Sequence, residues 1–180
     1  NSYSGAITVA NGSLVAGNAG AFRNAAPFNV ITLGSTPANN GNLKMNGFSF
    51  SLGGLSSAGT GASNTVDNGT VNTTLTINTP NASTFLFGGS LNNGATGVLN
   101  LVKSGAGTQT LGGLNNYTGT TTVSAGKLVL ARTGGGTIPA GNSISITGGI
   151  LQISSDQTIS NLAISGGTLQ VDAGATLTIT

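Results

Sequence analysis

Six times the chain runs glycine, one spacer, leucine, one further residue and a second apolar residue, centred on Leu14, Leu43, Leu99, Leu128, Leu151 and Leu169. The best pair sets Gly148-Gly149-Ile150-Leu151-Gln152-Ile153 against Gly166-Gly167-Thr168-Leu169-Gln170-Val171, an offset of 18 (151 to 169). Leu14 to Leu43 and Leu99 to Leu128 share a longer offset of 29. A short strand that returns behind a glycine turn at such intervals predicts a solenoid with one coil per repeat. The order Ile144-Ser145-Ile146-Thr147-Gly148-Gly149 comes again as Leu162-Ala163-Ile164-Ser165-Gly166-Gly167. Same order at a fixed offset predicts parallel stacking, whereas a sandwich or barrel needs hairpins and long-range pairing.

Most apolar segments alternate with polar residues, one side chain in and the next out, as strands do. No window shows the apolar spacing of an amphipathic helix. Asn18–Phe28 is the least strand-like stretch and reads as a helical turn or a loop bulging from a coil, with Pro27 ending any helix. Ser35–Asn42 and Leu55–Asp67 are rich in Gly, Ser, Thr and Asn and read as longer loops. Phe48/Phe50 and Phe85/Phe87 alternate at i, i+2, which places each pair on one face, expected in the core.

Gly, Ser, Thr and Asn supply more than half of the 180 residues, and there is no Glu, His, Cys or Trp. Without cysteine there are no disulfides and no thiolate chemistry. The five cations, Arg23, Lys44, Lys103, Lys127 and Arg132, are scattered and make no basic stripe, so a nucleic-acid partner is not expected. No apolar run is long enough for a transmembrane helix. The only acids are Asp67, Asp156 and Asp172. Glycoside chemistry asks for two carboxyl groups facing each other. The alignment of Leu151 with Leu169 instead staggers Asp172 over Ser154 and Asp156 under Gly174, as turn caps. Lys103-Ser104 puts adjacent side chains on opposite faces and reads as a surface lysine at a strand end. Gly134-Gly135-Gly136 is not followed by the aspartate of a calcium repeat. No enzyme, metal, cofactor or catalytic residue is therefore expected. The pairs Thr74/Thr76, Thr108/Thr110, Thr120/Thr122 and Thr176/Thr178 read as ordinary outward-facing strand residues. Asn11, Asn39, Asn40, Asn68, Asn92, Asn93, Asn115 and Asn116 read as structural turn residues or internal amide ladders.

Leu101-Val102-Lys103-Ser104-Gly105-Ala106-Gly107-Thr108-Gln109-Thr110-Leu111, continuing through Gly113, Asn115, Tyr117, Gly119, Thr121, Val123, Gly126 and Leu128, resembles the autotransporter-associated β-strand repeat. A second copy enters mid-motif. Asn1, Tyr3, Gly5, Val9, Gly12 and Leu14 align in turn with Asn115, Tyr117, Gly119, Val123, Gly126 and Leu128 at one constant offset. It departs at Ile7, where the repeat has threonine, and it lacks the Lys-Gly-Gly half. The resemblance implies a passenger domain folded as a right-handed parallel β-helix, the repeat itself being scaffold. Tyr3 and Tyr117 are expected to plug equivalent corners.

Together these readings give an all-β, right-handed parallel β-helix of about seven or eight coils. Residues 1–180 form one solenoid segment of a longer repetitive protein or filament. The expected role is a structural scaffold, stalk or filament segment, extracellular or at a bacterial surface and associated with the outer membrane. The alternative is an adhesin-type module gripping a surface glycan through loops 35–42 and 55–67. Expected partners are flanking coils of the same protein or a second copy stacked end to end, because neither end shows a polar cap.

Overall fold

The computed structural model describes residues 2–23, 25–36, 38–58 and 63–180. Glycine turns break the chain into short strands, and each inward residue finds its equivalent one coil away. The strands are β1 (Ile7–Val9), β2 (Gly12–Val15), β3 (Val30–Leu33), β4 (Gly41–Lys44), β5 (Phe50–Leu52), β6 (Gly54–Ser57), β7 (Thr65–Asp67), β8 (Thr73–Asn78), β9 (Thr84–Phe87) and β10 (Ser90–Asn92). They continue as β11 (Leu99–Ser104), β12 (Thr108–Leu111), β13 (Thr121–Val123), β14 (Lys127–Leu130), β15 (Ser143–Ile146), β16 (Ile150–Ile153), β17 (Gln157–Ile159), β18 (Asn161–Ile164), β19 (Thr168–Val171) and β20 (Leu177–Ile179). All pair in parallel, and the fold is a three-faced β-solenoid of about seven turns. The described residues contain no helix.

The first face is the continuous sheet β5-β8-β11-β13-β15-β18. The second face carries β1-β3-β6 below and β9-β12-β14-β16-β19 above. The third carries β2-β4-β7-β10 below and β17-β20 above. Register places Leu128 on Leu151 and Leu151 on Leu169, so the shorter offset is one coil. Leu14 on Leu43 confirms the first of the two longer offsets. The second is not a stack. Leu99 sits on the first face against Thr73, while Leu128 sits on the second. Glycine-spacer-leucine marks a turn entering a strand, and that local event recurs on every face.

The expected loops are partly strand. Gly41 and Asn42 belong to β4, Leu55–Ser57 to β6 and Thr65–Asp67 to β7. Leu55 and Val66 point inward and are fully buried, which outweighs the weak strand propensity of their polar neighbours. Positions 59–62 of the second expected loop lie outside the described residues. Position 37 of the first expected loop and position 24 of the stretch 18–28 lie outside the described residues too; the described parts of that stretch, 18–23 and 25–28, form a loop. It drives Phe22 into the core against Phe50, ring centroids 4.5 Å apart, beneath the first strand of the first face. Phe50 and Phe87 are buried, and Phe48 packs against the same core.

Candidate functional site

The interior is not uniformly apolar. One set of its polar residues, Asn115, Thr137 and Gln157, falls where the third face loses its ladder. Between β10 and β17 that face has no strand, only a single bridge from Asn92 to Asn116. Backbone groups left unpaired inside a solenoid must find another partner or lose roughly 1–3 kcal/mol each. Side-chain amides supply it. Asn115 accepts the Leu91 N–H at 2.8 Å and donates to Thr137 O at 2.8 Å, joining the coils below and above. Gln157 accepts from Thr137 N at 2.9 Å and donates to Ile138 O at 2.8 Å. The interruption on the second face, between β6 and β9, is handled alike. Gln109 donates to Leu55 O at 2.9 Å and accepts from Leu55 N at 3.1 Å.

The residues shared with the repeat motif complete this network. Tyr117 is fully buried, its hydroxyl 2.6 Å from Thr121 Oγ1. Burial holds the phenol far above its ordinary range despite that hydrogen bond. Thr121 Oγ1 donates to Asn142 Oδ1, and Asn142 Nδ2 donates to Gly119 O at 2.6 Å and to Tyr117 O at 3.3 Å. The N-terminal copy repeats the geometry. Asn29 Nδ2 donates to Tyr3 O and Gly5 O, both at 3.0 Å. Sequence reasoning singles out neither Asn29 nor Asn142. Both stand immediately before a strand, at offsets of 26 and 25 from the motif tyrosine, and that spacing is the missed signal. The two tyrosines differ in burial, 53% exposed for Tyr3 and 0% for Tyr117. Within these residues the first coil has a neighbour on one side only.

Lys103 corrects the surface reading. It is fully buried, in register with Ile77 below and Val123 above. Its ammonium donates to Ser104 O at 2.6 Å, Gly105 O at 2.9 Å and Ala125 O at 3.3 Å, tying one corner to the next coil. Burial pulls its pKa from 10.5 down to about 8. Gly119, also in the motif, passes so close to the coil below that a Cβ there would lie 2.2 Å from Leu99 O.

The aspartates stay apart. Asp67 Oδ1 accepts its own turn's Gly69 N–H at 2.8 Å. Asp172 lies over Ser154 as the alignment expects, and receives Ser154 Oγ at 2.6 Å and Gln152 Nε2 at 2.5 Å. Those donors, Ser154 first, hold its carboxyl below the usual range. Asp156 sits under Thr176 rather than Gly174, accepting the Thr176 N–H at 2.9 Å. The third-face step there, Gln157 to Leu177, is slightly longer than the steps Ile144 to Leu162 and Leu151 to Leu169 on the other two faces. Asp156 and its neighbours border an open notch of about 470 Å³, walled by Gly134–Gly136 and by Thr158, Thr176 and Thr178. Among the described residues no three His, Cys, Asp or Glu side chains converge as a metal site would require.

A stapled parallel solenoid whose staples fall on the repeat motif accords with the family comparison. The model for the passenger-associated-transport-repeat matches residues 1–16 and 101–130. The chain belongs to the autotransporter passenger-repeat family. It is 35% identical over 129 residues to the adhesin BmaC autotransporter of Brucella suis biovar 1. That match covers 71% of this chain and 3% of the relative, so the chain spans a small part of the protein it resembles. No solved structure matches. The passenger repeats make this a β-helical passenger segment placed at the cell surface or outside the cell. The two repeat copies lie one face apart, β1 and β2 on the second and third faces, β13 and β14 on the first and second. In this passenger the repeat therefore encodes a corner, stapled by Asn29 or Asn142 from outside the matched residues, and not a fixed position around the coil.

Proposed function

We propose that this segment is the shaft of an outer-membrane-associated passenger, a scaffold that holds other parts of the protein away from the cell and performs no catalysis. The observation that carries the reading is where the buried polar groups spend their hydrogen bonds. Lys103, Gln109, Asn115, Asn142 and Gln157 all bond to backbone of their own coil or of a coil one or two steps away. Such groups stiffen a rod. The named role of the relative, an adhesin, supports binding as a second reading for the whole protein.

The upper coil leaves Ile164, Val171 and Ile179 exposed beside three unpaired strand edges. A further coil of the same passenger fits that end better than a second copy does. The upper coil takes short steps, Leu151 to Leu169 and Gln157 to Leu177. The lower ones take longer steps, Ile7 to Ile31 and Leu14 to Leu43. The two ends thus differ in perimeter. The test is electron microscopy and scattering of the purified chain with a screen for polysaccharide cleavage. Rods about 35 Å long, seven spacings of about 4.8 Å, with no new reducing ends are expected. Cleavage that disappears when Asp67, Asp156 and Asp172 are all changed to Asn would overturn the reading.

A further inference from the structure

The gap that calls for amides inside also opens the notch outside. Because residues 131–142 form no strand, nothing continues the third face beneath β17, and the outer side chains of β17 and β20 face a hollow. Its volume of about 470 Å³ falls within the range of ordinary ligand sites, roughly 300–1,000 Å³. The floor is a two-by-two polar array. Asp156 lies under Thr176, and Thr158 under Thr178. Spacings are about 4.8 Å across strands and about 6.8 Å along them.

The carboxylate is held in place. Thr176 N–H fixes Oδ1, and Gly136 N–H donates to the Asp156 carbonyl at 2.7 Å. Oδ2 takes no hydrogen bond from the described residues, and Asp156 lines the hollow. The wall is bare backbone. Gly135 has φ +77°, and a Cβ there would meet Asp156 O at 2.9 Å, so the ledge lies against the acid only because it lacks side chains. The Arg132 guanidinium bonds to Gly135 O and holds that ledge from behind.

We propose that this notch binds one pyranose unit of a neutral glycan, with Asp156 accepting hydrogen bonds from two adjacent ring hydroxyls. A carboxylate with one committed and one free oxygen is suited to a vicinal diol, and bonds to an ionised acceptor are the stronger kind. Thr158 and Thr178 can donate or accept, so either orientation of a further hydroxyl is met. Ala140 and the glycine ledge admit the C–H face of the ring. An anionic sugar would meet Asp156 with no cation among the notch's lining residues to balance it, Arg132 being turned to Gly135. A divalent cation would find a single carboxylate, short of the six to eight oxygens calcium takes. This site is separate from the loops expected from sequence and independent of the shaft reading, which stands or falls on rod shape and cleavage.

The test is a nuclear magnetic resonance titration of the whole chain with methyl mannopyranoside, methyl galactopyranoside, glucuronate and calcium chloride in turn. Saturable amide shifts confined to Gly134–Gly136, Asp156–Thr158 and Thr176–Thr178 are expected with a neutral glycoside, in the millimolar range. Asp156→Asn keeps an acceptor for the Thr176 N–H and should fold, yet weaken binding at least tenfold. Thr178→Val should weaken it about threefold. The proposal is overturned if neither neutral glycoside gives saturable shifts, if the shifts lie elsewhere, if only glucuronate or calcium produces them, or if Asp156→Asn, folded by its amide spectrum, binds unchanged.

Discussion

Two inward columns of this solenoid are equally buried and chemically opposite. On the second face Leu128, Leu151 and Leu169 stack behind an unbroken ladder, in which β14 and β16 are paired on both sides and β19 on one. On the third face the column runs Leu91, Asn115, Thr137, Gln157, Leu177, polar across the gap and on the strand directly above it, and apolar again at Leu177. At this gap the interior polarity answers the missing backbone pairing, whereas Lys103 and Thr121, buried within the continuous first-face ladder, answer to corner carbonyls and to Tyr117 and Asn142. An unpaired N–H or C=O inside is costly, and an amide carrying both donor and acceptor replaces one rung of the ladder.

The comparison can be broken hardest at the apolar column. Leu151→Asp buries a lone charge between paired strands, and a loss of about 4 kcal/mol or more is expected, seen as loss of cooperative unfolding by circular dichroism. On the polar side, Asn142→Ala strips hydrogen bonds from Gly119 O, Tyr117 O and Thr121 Oγ1, and chemical denaturation should show a loss of about 2–3 kcal/mol. Asn29→Ala, the buried counterpart that staples the more exposed first coil, should lose less than half as much, because the freed Tyr3 O and Gly5 O lie nearer water. Equal losses would show that burial does not set the strength of the staple. Gln109→Leu sharpens the contrast, since leucine suits the column above it but leaves Leu55 N–H and C=O without their partner. A loss of about 1–2 kcal/mol is expected, and a gain would mean that the gap closes without an amide.

Lys103 and Tyr117 predict a pH profile. Lys103 titrates lower in the folded chain than unfolded, so between about 8 and 10 the unfolded chain binds more protons and stability rises with pH. Tyr117 is shifted the other way. Above its ordinary value of 10.0 the unfolded phenol ionises first, and stability falls. Thermal melts should therefore peak near pH 10, and Lys103→Met should abolish the rise below the peak. The smallest effect is at Asp172, whose exposed carboxyl is held low by Ser154 and Gln152. Its contribution is present above the normal carboxylate range and is lost as the pH falls from there to its lower folded value, so Asp172→Asn should alter melts slightly at pH 7 and progressively less on acidification.

Strand alternation and the repeat at Leu151 and Leu169 are sufficient for the parallel solenoid, because stacking like on like is a local rule that each repeat restates. Leu169 over Leu151 and Asp172 over Ser154 can both be read from that offset alone. What fails are judgements that depend on the neighbouring coil. Lys103 reads as a surface residue when polarity is taken as a sign of exposure, yet three carbonyls converge on its ammonium only once the coils are stacked. The strands Ser90–Asn92 and Gln157–Ile159 escape notice because each has a single clearly inward apolar residue to mark it. The step from Leu99 to Leu128 repeats a turn, not a coil, and only the register tells them apart. The sequence by itself determined most of the strands, the glycine turns and the direction of stacking, since all three are set within one repeat. Tertiary structure decided where the ladder breaks, which amides close the break, and where the notch opens. Those features arise where coils of unequal length meet, and no single repeat contains that information.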